Sequence, residues 1–221
     1  MERTVDGGLR KDSNGVIDAN AKSRRTKNQE RRTGFMLIFD NVMRMVNRPV
    51  WAITAADGDR RSGLVATWVI QASLEPARPV VLTAIAPIHF TAEVIRTSRA
   101  FALHLLSPAN LDYAWRLGLS SGRDHDKFAG LDVSQTPLGS PLLANCLAWF
   151  DCRVFHLYEG GDRLYVWADV VGGEQAGSGE PLRENDMFAA ATPEQKQQLR
   201  ANLAADIEQL RPLHDAWRAR T

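Results

Sequence analysis

The chain has 221 residues, 44% of them apolar and 24% charged, with a net charge of +1 at neutral pH. Those are the proportions of a soluble globular protein with one proper core, and the near-zero charge gives no whole-chain case for nucleic acid or an anionic membrane. No apolar run approaches the roughly 20 residues of a membrane span. The N-terminus also lacks the apolar stretch of a secretory signal, so a cytoplasmic location is expected.

Residues 1–35 carry nine Lys or Arg against five Asp or Glu and very few large apolar side chains. Such a segment cannot bury enough surface to offset chain entropy, and a disordered basic leader is expected. A nucleic-acid tail is one alternative. An over-extended start is another, because Met36 directly precedes the first folded-looking segment. The folded domain is expected over 36–221, and without the leader it is mildly acidic.

From about Val46 the pattern turns to short strands. Val50–Ala55 reads as a buried strand and Ala56-Asp57-Gly58-Asp59 as a hairpin turn. The strand from Gly63 returns, and Pro79–Ala86 is the next apolar run. Thr91–Ser98 and Pro108–Leu117 read as helices on either side of a strand at Phe101–Leu106. Residues 118–141, rich in Gly, Ser and Asp, form a long excursion of the kind that often carries function. Leu147–Tyr158 and Leu164–Val171 pair around Glu159-Gly160-Gly161-Asp162.

Cys146 and Cys152, six apart on what reads as one strand, share a face at a separation too large for pairing; buried reduced thiols are expected. The C-terminal helix, about 192–219, opens with Thr192-Pro193-Glu194-Gln195, a cap with Pro at the first position and Gln three after the cap. Leu199, Leu203, Ile207, Leu210, Leu213 and Trp217 form its apolar stripe, and Pro212 is expected to kink or end it. Many short strands with only peripheral helices indicate a mainly β protein built on an antiparallel barrel.

The segment Ser62–Pro76 is the most informative. It starts small, runs apolar with one hydroxyl in the middle, and closes on Ser73-Leu74-Glu75-Pro76. Small residues let a backbone approach a flat ring, while hydroxyls and free amides take a polar tail. An ordinary core strand is the alternative reading of the same residues.

The ordered set of pieces is similar to the flavin reductase family with the FMN-binding split β-barrel. It comprises Pro49–Thr54, the Asp-Gly turn, Gly63–Thr67, Ser73–Pro76, His89-Phe90-Thr91, Ser98–Phe101, Asp126–Gly130, Pro141–Leu143, Asp151–Val154 and Gly161–Arg163. The resemblance implies a homodimer holding FMN in a groove between subunits and reducing it with NADH or NADPH. It implies that Gly63, Leu64, Val65, Ala66 and Thr67 lie beside the isoalloxazine ring, with Gln71 and Ser73 toward the ribityl and pyrimidine side.

By the same resemblance, Thr91 lies near the flavin phosphate, where the start of a helix also favours an anion. His89 adds charge there, or else is a solvated loop histidine. Lys127 and Phe128 fall in the excursion that closes over the groove; Phe128 stacks on the ring or simply anchors the loop.

Two departures stand out. Many such reductases have Gly-Asp-His at the hairpin turn, whereas this chain has Arg163, a permanent cation that cannot shuttle a proton. Arg163 is therefore a nicotinamide-side candidate. Bulky Trp68 follows Thr67, and strand alternation points it into the core, away from the cofactor.

No metal site is expected from the five scattered histidines: His125 reads as a solvated loop residue, and His104 and His156 as structural. The expected function is an FMN-dependent oxidoreductase, with a monooxygenase, an iron complex or another flavoprotein as acceptor. A flavin-binding electron carrier without nicotinamide activity, or a cofactor-free interaction module, are the alternatives.

Overall fold

The computed structural model describes residues 34, 36 and 38–220. The leader expected over 1–35 lies, Gly34 apart, outside the described residues. Two units are distinguished, with the division between Val46 and Asn47. In the first, residues 38–45 are helical (α1), and Arg44 pairs with Asp40 one turn away at 2.8 Å.

The second unit is built on β1 (Trp51–Asp57), β2 (Arg60–Ala66), β3 (Val69–Gln71), β4 (Val80–Ile85) and α2 (Phe90–Ser98). It continues through β5 (Ala100–Leu105), a 3-10 turn at Pro108–Asn110 and α3 (Leu111–Gly118), then β6 (Val133–Gln135) and β7 (Pro141–Leu143). The long strands β8 (Ala148–Glu159) and β9 (Leu164–Glu174) follow, then α4 (Glu184–Ala190) and α5 (Pro193–Arg218). Seven strands form one antiparallel sheet in the order β2-β1-β5-β8-β9-β4-β3, with β6 and β7 as a separate small hairpin.

The outermost strands of that sheet, β2 and β3, are consecutive in the chain and joined by Thr67 and Trp68 alone. From Ala66 to Val69 the chain can span only about 10 Å, so the two edges must approach each other and the sheet must curl. A backbone hydrogen bond from Ala84 N to Trp68 O at 3.2 Å fastens the crossing to β4.

β1 reads as a continuous apolar run because it is buried on both faces. Ile53 and Ala55 face the barrel interior with Phe101, Leu103, Val154 and Val166. Val50 and Ala52 face an outer core with Leu106, Leu117 and Phe128. Helix α2 packs Ala92, Val94 and Ile95 into the interior core. At the β1–β2 turn, Gly58 takes a φ of +59°, which suits glycine at the first position of a two-residue hairpin.

Several expectations change. Cys146 is not on the strand with Cys152: Asn145 adopts a left-handed φ of +59°, and β8 begins only at Ala148. Both thiols are free and buried, and burial pushes Cys146 up to about 12 and raises Cys152 as well. Pro212 does not end α5, which runs on to Arg218. The expected helix from Pro108 begins as a 3-10 turn under a Ser107–Asn110 capping box. Trp68 is not in the core but 43% exposed. Within the excursion, Asp151 of β8 accepts hydrogen bonds from Thr136 Oγ1 (2.8 Å) and Leu138 N (2.9 Å), which ties the β6–β7 loop to the barrel.

Gly63 is small for a packing reason. A Cβ there would lie 3.0 Å from Leu117 Cδ2 and 3.2 Å from both Ile53 O and Phe128 Cζ. Gly63→Ala should therefore destabilise the fold by about 1–3 kcal/mol through overpacking, read as a lower urea midpoint. An unchanged midpoint would mean that Leu117 and Phe128 yield freely.

Candidate functional site

A cavity of about 630 Å³ opens at the free edge of the barrel. Its floor is Ser62, Leu64 and Val65 of β2; its sides are the start of α2 and residues 118–124, and α5 roofs it with Asn202 and Asp206. Ser62 and Thr91 are buried, with their hydroxyls 2.9 Å apart, which joins β2 to the first turn of α2. Asn202 Nδ2 donates to Leu119 O at 3.0 Å and ties α5 to the end of α3.

His89 is the N-cap of α2 but makes no capping bond with its side chain. Its Nε2 instead lies 2.9 Å from Asp206 Oδ2 on α5. A carboxylate therefore already stands beside the positive end of α2, where the resemblance implies a phosphate. On the far side of the same turn, Phe90 is flanked by the guanidinium groups of Arg60 and Arg123, 5.2 and 5.4 Å from its centroid. Both arginines bond Glu93, and Arg123, then Arg60, hold its carboxyl below the usual range.

Lys127 is the buried cation of the cavity wall, 5% exposed. Its Nζ donates to Gly63 O at 2.9 Å and Leu117 O at 2.7 Å. Burial pulls the ammonium down to about 8, and the two carbonyls help to keep it charged at neutral pH. Its neighbour Phe128 is 1% exposed and packs against Gly63 in the outer core. Arg61 lies over its ring at 5.4 Å. That side chain anchors the excursion; no open ring face is left to stack on a ligand.

The remaining residues singled out in the sequence lie elsewhere. Ala66 faces the barrel core. Ser73 closes the β3–β4 turn: its hydroxyl donates to Arg78 O at 3.0 Å and accepts from Val80 N at 2.9 Å. Gln71 Nε2 donates to Ser73 O at 2.8 Å. Thr67, half-buried, sits at the crossing beside Trp68. Arg163, at the β8–β9 hairpin, stacks its guanidinium over the Trp68 ring at 4.9 Å while Nη1 donates to Asp162 O at 2.7 Å. Two neighbourhoods thus emerge. One is the cleft of Leu64, Val65, His89, Thr91 and Lys127; the other is the crossing of Thr67, Trp68 and Arg163.

The flavin reductase like domain matches residues 43–192, which covers the whole barrel through α4. The chain belongs to the flavin reductase family. The reductase subunit HsaB of a flavin-dependent monooxygenase from Mycobacterium tuberculosis is 30% identical over 132 residues, 60% of this chain and 68% of that protein. Diflavin flavoprotein A 1 of Synechocystis is 29% identical over 128 residues, 58% of this chain but 22% of that protein. The chain thus spans less than a quarter of the length of the diflavin flavoproteins it matches.

Among solved structures, nitrilotriacetate monooxygenase component B from Mycobacterium thermoresistibile superposes with a TM-score of 0.59 at 28% identity. The match covers 71% of this chain and 82% of that one. The barrel is therefore the family's split barrel, and both neighbourhoods lie within the matched region.

Ser62 opens the most informative segment of the sequence, but neither it nor Asp206 stands among the candidate cofactor-binding residues. Ser62 carried a weak signal as a small hydroxyl before Gly63. Asp206 carried none, because its approach to His89 spans 117 residues. Among the described residues no group of three or more His, Cys, Asp or Glu is arranged to hold a metal. His104 is fully buried, accepts from Leu143 N at 3.2 Å, and is lowered to about 4 by burial, so it stays neutral as a core residue.

The depressed Lys127 has a pH signature. The unfolded ammonium titrates near 10.5 and the folded one near 8, so between those values the unfolded chain binds more protons and stability rises with pH. The stability of wild type minus that of Lys127→Met should be flat below about pH 8 and climb by roughly 1–3 kcal/mol toward pH 10.5. Denaturant unfolding across that range would test this, and a flat difference would contradict it.

Proposed function

We propose that this chain is an oxidoreductase that binds FMN and reduces it with NADH or NADPH, acting as the reductase component for a flavin-dependent monooxygenase. The observation that carries this reading is the family match over 43–192, which takes in every strand of the barrel and the α2 wall of the cleft. The relatives described as reductase subunits of flavin-dependent monooxygenases support the choice of acceptor.

The described residues fit a flavin in part. Flavin supplies the ring that accepts hydride. Thr67, Trp68 and Arg163 line an exposed crossing suited to a ring. Ser62, Thr91 and Lys127 line a cleft suited to a polar tail, with hydroxyls and a cation in a water-poor wall. Asp206 is the exception. A phosphate at the start of α2 requires this carboxylate to be protonated, neutralised by His89, or moved away with α5.

No side chain at the crossing is a proton shuttle, because Arg163 remains cationic at all relevant pH. The protein's part is to place the ring, exclude water and stabilise negative charge. Purified protein should show flavin absorption bands, and anaerobic NADH or NADPH should bleach them. Bands that do not bleach would favour an electron carrier without nicotinamide activity, a reading that Arg163 in the hairpin keeps in view. No bands, even after incubation with FMN, would leave an interaction module.

The homodimer implied by the resemblance is also proposed, on a specific surface. Among the apolar stripe of α5, Leu210 is buried, but Leu203, Ile207 and Leu213 are exposed at 58%, 48% and 43%. A second copy is the natural cover for that face. Leu203→Asp with Ile207→Asp should leave the monomer fold intact, because neither side chain is in its core. The pair should convert a dimer to monomer in sedimentation, as two buried unpaired charges cost several kcal/mol at an interface. A dimer that survives both changes would rule out this face as the contact.

A further inference from the structure

Helix α5 begins at Pro193, just past residues 43–192, so the roof of the cleft is this chain's addition to the matched domain. It is laid on with a polar side down. Gln198, Asn202, Asp206 and Gln209, at intervals of four, four and three, share one side of the helix and line the cavity, while Leu203 and Ile207 are left exposed. The helix is seated on either side of Asp206, because Leu199 packs against the outer core and Leu210 is buried. The fold therefore delivers this carboxylate to the cleft, where Oδ2 lies 2.9 Å from His89 Nε2 at the N-cap of α2.

The charges around the cleft show what that carboxylate changes. Arg123 and Lys127 in the lining are cations and Asp124 is an anion, so one positive charge is in excess before α5 is counted. Asp206 is the one charged side chain that α5 adds to the lining, and it cancels the excess. The two cations are already engaged: Arg123 with Glu93 and Ile88 O, Lys127 with the carbonyls of Gly63 and Leu117. His89 is the group to which the roof supplies an anion from within the chain.

We propose that α5 is an autoinhibitory roof, in which Asp206 takes the place of an anionic ligand group beside His89 and a phosphate-bearing flavin binds by displacing it. This rests on the flavin reading of the preceding subsection. Two anions beside one imidazole and one helix start repel each other, so the phosphate of FMN enters against Asp206, whereas uncharged riboflavin meets no such rival. The His89 and Asp206 side chains are 40% and 31% exposed, so solvent and salt screen the repulsion, and it weakens binding without excluding the ligand. Displacement needs only a new rotamer of Asp206, with Leu199 and Leu210 still packed. The consequence is a loosely held flavin, which suits a component that gives up reduced flavin to another protein.

The test is titration of the full chain with FMN and with riboflavin, followed by flavin fluorescence at low salt. Asp206→Asn, which keeps the shape and removes the charge, should tighten FMN by about tenfold, mainly through slower release, and leave riboflavin within about threefold of wild type. Asp206→Ser should do the same, and Asp206→Glu, which keeps the charge, should bind both ligands as wild type does. The gain for FMN should shrink toward nothing at about 1 M salt, where charges are screened within a few ångströms. Circular dichroism of the variants should match wild type. FMN unmoved or weakened by Asp206→Asn, an equal gain for both ligands, or a gain that persists at high salt would each overturn the autoinhibitory carboxylate. A wild-type chain that binds neither flavin would instead sink the underlying reading, so the two failures are distinguishable.

Discussion

The structure depends on one constraint: two residues, Thr67 and Trp68, join the opposite edges of a seven-stranded sheet. A flat sheet would separate those edges by about six strand spacings of roughly 4.8 Å each. The short link forces the sheet to curl so that the two edges approach each other, with β2 paired only to β1 and β3 only to β4. The crossing leaves the strand ladder just where β2 ends, so Trp68 turns outward instead of continuing the inward alternation of β2. Arg163 then meets it from the β8–β9 hairpin.

Around that closure the molecule stacks two cores on the two faces of β1. The interior core is plugged by α2, and the outer one is packed beneath the excursion. Gly63 sits where both needs meet. Its missing side chain admits Leu117 and Phe128, and its carbonyl takes the Lys127 ammonium. The same contacts explain why Phe128 is an anchor. A phenyl ring that fills the space over a glycine in the outer core is not free to stack elsewhere.

Helix α5 is attached differently. Of its apolar stripe only Leu210 is buried, and much of its hold comes from polar bonds: Asp206 to His89, Asn202 to Leu119 O, and Trp217 to Tyr158. Each such bond contributes about 1 kcal/mol net in partly solvated surroundings, far less than a packed apolar face of that length. The helix that roofs the cleft thus combines these bonds with the packing of Leu199 and Leu210, and leaves Leu203 and Ile207 as an exposed apolar face.

The sequence by itself determined the longer strands β1, β2, β4, β5, β8 and β9, the Asp-Gly turn, the capped C-terminal helix and the family, because periodicity, turn chemistry and an ordered set of motifs are local properties of the chain, whereas the short β3, β6 and β7 carry too few residues to show a pattern. It also picked out Leu64, Val65, His89 and Thr91, which do converge on one cleft. What it misjudged were residues whose roles depend on distant partners. Cys146 was read as strand because nothing local reveals the left-handed Asn145. Trp68 was sent inward because alternation assumes an unbroken strand. Gly63 was read as room for a ligand when the room is filled by Leu117 and Phe128. Asp206 was invisible because its partner is 117 residues away. Only the tertiary structure decided these, for a physical reason: a side chain's exposure and charge environment are set by what packs against it, and in a curled sheet the neighbours across the closure are far apart in the chain.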